Sequence, residues 1–339
     1  MNKADKNKKL LITGASGFLG QSLMGLFRSG SGRFQRPRWT GWTELTGWTA
    51  VGTVYSQGTL CSQEGIVEID LTDTGRVNAL FQDLRPDAVI HTAAMSNPNE
   101  CAAYPDVSHR INVTAVAHLA GLCAENDVPF VFTSTDLVFD GLNPRYDESA
   151  AVSPVSLYGE QKVLAEQRVL DVHPGAAVCR MPLMYGFSKG MRKNFFQVMI
   201  ESFQKGDPVR LFTDEFRTPL AVFSAACALT VVLMDNMSGT IHLPGPERLS
   251  RFDLGRVAAQ IFGFPDTLII PTRQKDVPMA AARPPDVSLS SRRPISSGLS
   301  RITTASEIRS MMTQMKIVPT LERGNDFQLS YITDHTTCS

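Results

Sequence analysis

Residues 9–20 read Lys9-Leu10-Leu11-Ile12-Thr13-Gly14-Ala15-Ser16-Gly17-Phe18-Leu19-Gly20. The first five form a short apolar run, the pattern of a strand buried on both faces. Glycines then recur at Gly14, Gly17 and Gly20, and the chain continues with helical periodicity to Arg28. A strand that breaks on glycine and reopens as a helix has a physical use. Gly14 permits a tight turn, Gly17 lets backbone approach a pyrophosphate, and Gly20 lets the helix pack closely on the sheet. The helix N-terminus offers free N–H groups and a positive dipole end to phosphates. The loop of Gly14, Ser16, Gly17, Phe18, Leu19 and Gly20 is therefore read as a dinucleotide cradle.

Outward from this loop the pattern repeats. Strands are expected at 51–55, 66–70, 87–91, 130–133 and 176–180, with helices at 72–84, 107–126 and 156–170 between them. Alternating units of this length predict an α/β protein with a Rossmann doubly wound parallel sheet, helices covering both faces. After Arg180 the rhythm loosens. Helices are expected at 194–204, 223–234 and 251–262 and a strand at 240–243, with Pro and Gly frequent between them. This predicts a dinucleotide-binding domain over 1–180, to which about 216–240 returns. A smaller C-terminal substrate-binding lobe covers most of 181–322, and 323–339 is a polar tail expected to fray.

The residues after the second strand test the choice of dinucleotide. NAD sites usually place Asp or Glu there for the ribose 2′-OH. Here the segment is Tyr55-Ser56-Gln57, which has no carboxylate. No arginine follows this strand to pair with a 2′-phosphate either, although Arg33, Arg36 and Arg38 lie in the connection before it; the missing carboxylate favours NADP(H) over NAD(H). Asp70 and Leu71, after the third strand, either hold the adenine or open the next helix.

Tyr158-Gly159-Glu160-Gln161-Lys162 sets a phenol and an ammonium one helical turn apart, on one face. A phenol titrates near 10, and a nearby cation lowers that value. Lys162 is expected to do this for Tyr158 and to reach the nicotinamide ribose. Tyr158 then gives a proton to a carbonyl oxygen as hydride reaches its carbon. Thr133-Ser134-Thr135-Asp136 ends the fifth strand, at the edge where open α/β sheets bind ligands. Thr135 is the first choice for orienting the substrate oxygen, and Ser134 the second.

Composition excludes other classes. The chain has 339 residues, 43% hydrophobic and 19% charged, with Lys+Arg and Asp+Glu equal at 33 each. That balance gives no reason to expect a nucleic-acid or anionic-membrane partner. No apolar run reaches the roughly 20 residues of a membrane span, and the polar start does not look like a signal peptide. Six cysteines, at 61, 101, 123, 179, 227 and 338, show no metal-binding spacing. They are expected as reduced thiols in a cytoplasmic protein without a metal. One region is unusual: Trp39, Trp42 and Trp48 fall in the long connection from the first helix to the second strand. It reads as a surface insertion or as a partner-binding patch.

Together these residues resemble the extended short-chain dehydrogenase/reductase family, and within it the dTDP-4-dehydrorhamnose reductase branch. The matching segments are Thr13–Gly20, His91-Thr92-Ala93-Ala94, Arg110-Ile111-Asn112-Val113, Ser134–Gly141, Tyr158–Lys162 and Arg180–Gly186. Arg217-Thr218-Pro219, Gly245-Pro246-Glu247 and Arg283-Pro284-Pro285 also fit. The resemblance implies that Thr135, Tyr158 and Lys162 form a catalytic triad and that Ala93 and Ala94 line the cofactor. Asn112 would be structural, and Ser134, Asp136, Tyr185 and Arg217 would face a nucleotide-sugar substrate. Related dehydratases carry Asp-Glu after the threonine, whereas this chain has Asp136-Leu137, so reduction of a 4-keto sugar is expected. Leu183 stands where rhamnose-pathway reductases typically have an aromatic residue. The stretch Arg180–Gly186 also resembles the regulatory β subunit of methionine adenosyltransferase, an NADP-binding relative that keeps the Tyr and Lys. The resemblance allows a homodimer and, under this second reading, a methionine adenosyltransferase catalytic subunit as partner.

Overall fold

The computed structural model describes residues 7–28, 47–55, 64–188, 193–278, 281–299 and 302–314. The expectations for Arg33, Arg36, Arg38, Trp39, Trp42, Ser56, Gln57, Cys61, Cys338 and the C-terminal tail lie outside these residues. The chain begins with β1 (Lys8–Thr13), α1 (Phe18–Arg28), β2 (Trp48–Val54), β3 (Ile66–Glu68), α2 (Thr74–Leu84) and β4 (Ala88–His91). There follow α3 (Pro98–Ala103), α4 (Pro105–His109), a π turn at Arg110–Thr114, α5 (Ala115–Glu125), β5 (Phe130–Thr135), α6 (Leu157–Val172) and β6 (Ala177–Met181). Beyond them lie the short strands β7 (Met184–Tyr185), β8 (Val209–Phe212), β9 (Phe216–Arg217) and β10 (Leu220–Ala221). The remaining strands are β11 (Gly239–His242), β12 (Leu249–Ser250) and β13 (Ile269–Thr272). The helices after β7 are α7 (Phe195–Gln204), α8 (Val222–Met234), α9 (Arg251–Phe262), α10 (Pro294–Leu299) and α11 (Thr304–Gln314).

Among the described residues the main sheet has seven strands in the order β11-β6-β5-β4-β1-β2-β3, and every pairing is parallel. The architecture is the expected Rossmann-like one. Because side chains alternate across a strand, each central strand feeds two cores. Leu10, Ile12, Ala88, Ile90 and Val131 pack with α1 and α8 on one face. Leu11, Val89, Phe130 and Phe132 pack with α2, α5 and α6 on the other. A third apolar cluster joins α7, α9 and α11 around Tyr185, Phe196, Phe203 and Phe262.

Two differences from the sequence reading have local causes. Trp48, grouped above with the insertion, opens β2 opposite Lys8, whose Nζ lies 5.3 Å from the indole ring. An aromatic residue suits a half-buried strand position. Trp48 therefore packs against the core and does not belong to an exposed patch. The helix expected over 107–126 instead starts at Pro105 and widens into a π turn around Asn112. Such turns concentrate at functional sites. The Asn112 side chain accepts from Met95 N at 2.9 Å and donates to Met95 O and to Gln161 Oε1, both at 3.0 Å. It ties the segment after β4 to α6, the structural role the resemblance implies.

Candidate active site

The C-terminal ends of β1, β2 and β4 converge on the glycine loop. Ala15 N donates to Thr53 O at 2.8 Å, and Gly17 N to Gly14 O at 2.9 Å. Thr92 N and Ala93 N both point to Thr13 Oγ1, at 3.2 and 3.4 Å. Gly14 adopts φ +70°, and a Cβ there would sit 2.8 Å from the Ala93 backbone. At Gly20 a Cβ would lie 2.2 Å from Gly14 O, so α1 approaches the loop as closely as glycine allows. Gly17 is different: it is exposed, and its Cβ would meet only Gly14 O, at 3.1 Å. Its missing side chain leaves space on the outer side of the loop, where a phosphate would approach. Ser16 and Phe18 flank it half-buried, Leu19 is buried beneath, and Ala93 and Ala94 are half-buried across the cleft. These residues fit a dinucleotide. Asp70 Oδ1 accepts from Thr72 N and Oγ1, at 2.8 and 2.7 Å, and Leu71 is half-buried beside it.

Tyr158 and Lys162 lie on the first turns of α6, which Ser156 caps by accepting from Gly159 N. Gly159 lets this helix approach the turn after β5, since a Cβ there would sit 2.3 Å from Leu137 O. Both functional side chains are buried. Lys162 Nζ donates to Thr133 O at 2.7 Å and lies 4.3 Å from the Phe132 ring. Burial lowers its pKa to about 7, against the pull of Glu166. Burial first, then the neighbouring Cys101 and Asp136, push the Tyr158 phenol well above its ordinary value, and the Thr135 hydroxyl opposes them by hydrogen bonding. The expected lowering of the phenol by Lys162 is therefore not what this geometry gives. Desolvation favours the neutral form of each group. Tyr158 is held protonated.

His91 stands behind Lys162, with Nδ1 2.9 Å from Thr13 Oγ1. Burial first, then the Lys162 charge, lower its pKa to about 3. The folded ring stays neutral while the unfolded one takes a proton below about 6.5. Stability is lost as pH falls from there toward 3, by roughly 4–5 kcal/mol over the whole window. Denaturant titrations at pH 7 and pH 4 should show this loss in the wild type and a much smaller one in His91→Gln. Equal losses would place the acid sensitivity elsewhere.

The remaining expected residues divide into two groups. Thr135 lies beside Tyr158, its Oγ1 accepting from Leu137 N at 3.2 Å and donating to Asp136 Oδ1 at 3.3 Å. Asp136 is buried and paired with Arg217, whose Nη1 is 3.1 Å from Oδ2. These residues meet at one place. Ser134 and Tyr185 do not join them. Strand alternation turns Ser134 toward the middle of α6, where its hydroxyl donates to Glu166. Glu166 in turn accepts from Arg180 Nε at 3.0 Å and Nη2 at 2.7 Å. Tyr185 is fully buried in the third cluster, its hydroxyl donating to Glu307. Sequence reading passes over Glu215, Arg251, Glu166 and Gln161. Only Gln161 carries a signal, as a member of the Tyr158–Lys162 motif. Among the described residues no group of three or more His, Cys, Asp or Glu is arranged to hold a metal ion, and no helix is long and apolar enough to cross a membrane.

Residues 8–317 match the family model described as the RmlD substrate binding domain. The chain is 31% identical over 277 residues to Agl14 of Haloferax volcanii, described as a probable low-salt glycan biosynthesis reductase; the match covers 80% of this chain and 86% of that one. It is 27% identical over 293 residues to methionine adenosyltransferase 2 subunit beta of Bos taurus, covering 85% and 81%. The fold is also that of dTDP-4-dehydrorhamnose reductase from Bacillus anthracis, solved in complex with NADP. That structure superposes with a TM-score of 0.70 at 22% identity, over 87% of this chain and 98% of that one.

Proposed function

The chain belongs to the RmlD substrate binding domain family, and from that membership we propose that it is an NADPH-dependent reductase of a 4-keto nucleotide sugar. The observation that carries this reading is the meeting of Thr135, Tyr158 and Lys162 at the sheet edge that also holds the glycine loop. When bound, a nicotinamide supplies the hydride. Thr135 orients the substrate carbonyl, and Tyr158, held protonated, gives its proton to the oxygen. Lys162, fixed by the Thr133 carbonyl, holds the ribose side of the site. Leu137 in place of a second acid removes the group a dehydratase uses to eliminate water. The preference for NADP rests on the absence of a carboxylate at Tyr55-Ser56-Gln57, and the NADP held by the Bacillus anthracis structure agrees with it. The substrate lobe is assigned to the cluster around α7, α9 and α11, and the cofactor domain to the main sheet with α8 and β11.

A second reading is a non-catalytic NADP-binding subunit that docks on a methionine adenosyltransferase. The 27% identity to methionine adenosyltransferase 2 subunit beta over 85% of the chain favours it. So does Leu183, which packs half-buried against the third cluster where the resemblance expects an aromatic residue. Two measurements separate the readings. In a thermal-shift titration NADPH at 100 times its dissociation constant should stabilise the protein by about 2.7 kcal/mol. NADPH oxidation is then followed against a panel of dTDP-, UDP- and GDP-linked 4-keto sugars. Turnover of one of them supports the reductase. A thermal shift without turnover, with a methionine adenosyltransferase catalytic subunit retained in a pull-down, supports the second reading. No shift with either dinucleotide overturns both.

A further inference from the structure

Glu215 is fully buried just before β9 and takes guanidinium groups from three segments. Arg217 Nη2 lies 3.4 Å from Glu215 Oε1, and Arg251 Nε, from the first turn of α9, donates to the same oxygen at 2.9 Å. Arg283 Nη1 reaches Glu215 Oε2 at 3.6 Å. Arg217 is shared, since its Nη1 also holds Asp136 Oδ2 at 3.1 Å. Asp136 Oδ1 in turn accepts from the Thr135 hydroxyl at 3.3 Å, and that hydroxyl stands beside Tyr158. A continuous line of polar groups, buried from Glu215 onward, thus runs from Arg251 through Glu215, Arg217, Asp136 and Thr135 to the proposed proton donor. Replacing buried ion pairs by well-packed apolar residues is often neutral for stability, and their best-attested use is to fix one geometry.

We propose that Glu215 is a positioning residue that, through Arg217 and Asp136, fixes the rotamer of the Thr135 hydroxyl beside Tyr158. The sharing of Arg217 is what does this. Glu215 draws the guanidinium to one side and leaves Asp136 enough free charge to hold the Thr135 hydroxyl at 3.3 Å. Without the Glu215 charge, Arg217 closes fully on Asp136 and draws its carboxylate off the hydroxyl, which then rotates freely. The kinetic consequence rests on the reductase reading, whereas the structural consequence does not.

The test uses the full chain carrying Glu215→Gln. With a sugar that the wild type reduces, kcat should fall about tenfold, the effect of one misplaced hydrogen bond, with KM for NADPH and for the sugar unchanged. Glu215→Asp should recover most of the loss. In a Thr135→Val background, Glu215→Gln should add nothing, because the group it acts through is gone. Additive losses, or a change in KM alone, would overturn the proposal and make Glu215 a folding or substrate-contact residue. A crystal structure of Glu215→Gln gives an answer that does not depend on turnover: Thr135 should leave its rotamer, and an unchanged rotamer overturns the proposal. If the wild type reduces no sugar while the rotamer changes, the reductase reading fails and the positioning role stands. Should Glu215→Gln not fold, Asp136→Asn interrupts the same line one link nearer to Thr135, with the same expected rotamer change and the same outcome against it.

Discussion

Tyr158→Phe is expected to lower kcat for the 4-keto sugar by about 10²–10⁴-fold, the usual contribution of a positioned general acid, while the thermal shift produced by NADPH survives. The substitution removes one oxygen from a buried ring and leaves the ring's packing in place. Thr135 keeps its other two partners, Leu137 N and Asp136, so no buried hydroxyl is orphaned. The loss should therefore appear in the chemical step, with unfolding by denaturant little changed. The cause is the protonation state of the phenol. Burial holds it neutral at every physiological pH, and a neutral phenol is what a carbonyl oxygen gaining charge requires. Phenylalanine offers no proton, and water is a poor replacement in a site this closed. Equal turnover by the variant and the wild type would remove Tyr158 from the chemistry.

Much of this arrangement is legible in the sequence because local periodicity sets it. The step from a continuous apolar run through glycine to a helix exposes β1, the loop and α1 together. The four-residue spacing of Tyr158 and Lys162 is enough by itself to place them on one face of a helix. Other parts depend on what packs beside them. The two-residue strands β7, β9, β10 and β12 are too short to show a period and exist only through their pairings. The choice between Ser134 and Thr135 follows from strand alternation, but it also needs the fact that α6 covers the Ser134 face. The pKa of Tyr158 follows from burial and from Asp136, neither visible in a motif. The pairing of Asp136 with Arg217, and of Arg217 with Glu215, joins the turn after β5 to β9. No spacing in the sequence announces it, so sequence reading takes Asp136 and Arg217 for substrate contacts and does not single out Glu215.

Gly17→Val is expected to abolish the NADPH thermal shift while costing the empty protein little, which separates the loop's function from its folding role. The three loop glycines differ in what surrounds them. A side chain at Gly20 would drive a Cβ to 2.2 Å from Gly14 O, and one at Gly14 would meet the Ala93 backbone at 2.8 Å in a left-handed conformation. Either change forces the backbone apart, at the upper end of the roughly 1–3 kcal/mol typical of overpacking or beyond it. Their effects on binding would be inseparable from damage to the fold. Gly17 is exposed, needs no left-handed φ, and its Cβ would have only Gly14 O nearby, at 3.1 Å, a contact eased by a few tenths of an ångström. Valine there fills the outer side of the turn, where the pyrophosphate must come close to backbone N–H groups. The control lies in the helix that follows, α1. Gly25 has open space around its Cβ position, so Gly25→Ala should stabilise α1 by about 0.5–1 kcal/mol and leave the NADPH shift intact. A Gly17→Val protein that melts like the wild type and still shifts with NADPH would mean that the dinucleotide, if it binds, lies elsewhere. The cradle would then be only a tight connection between β1 and α1.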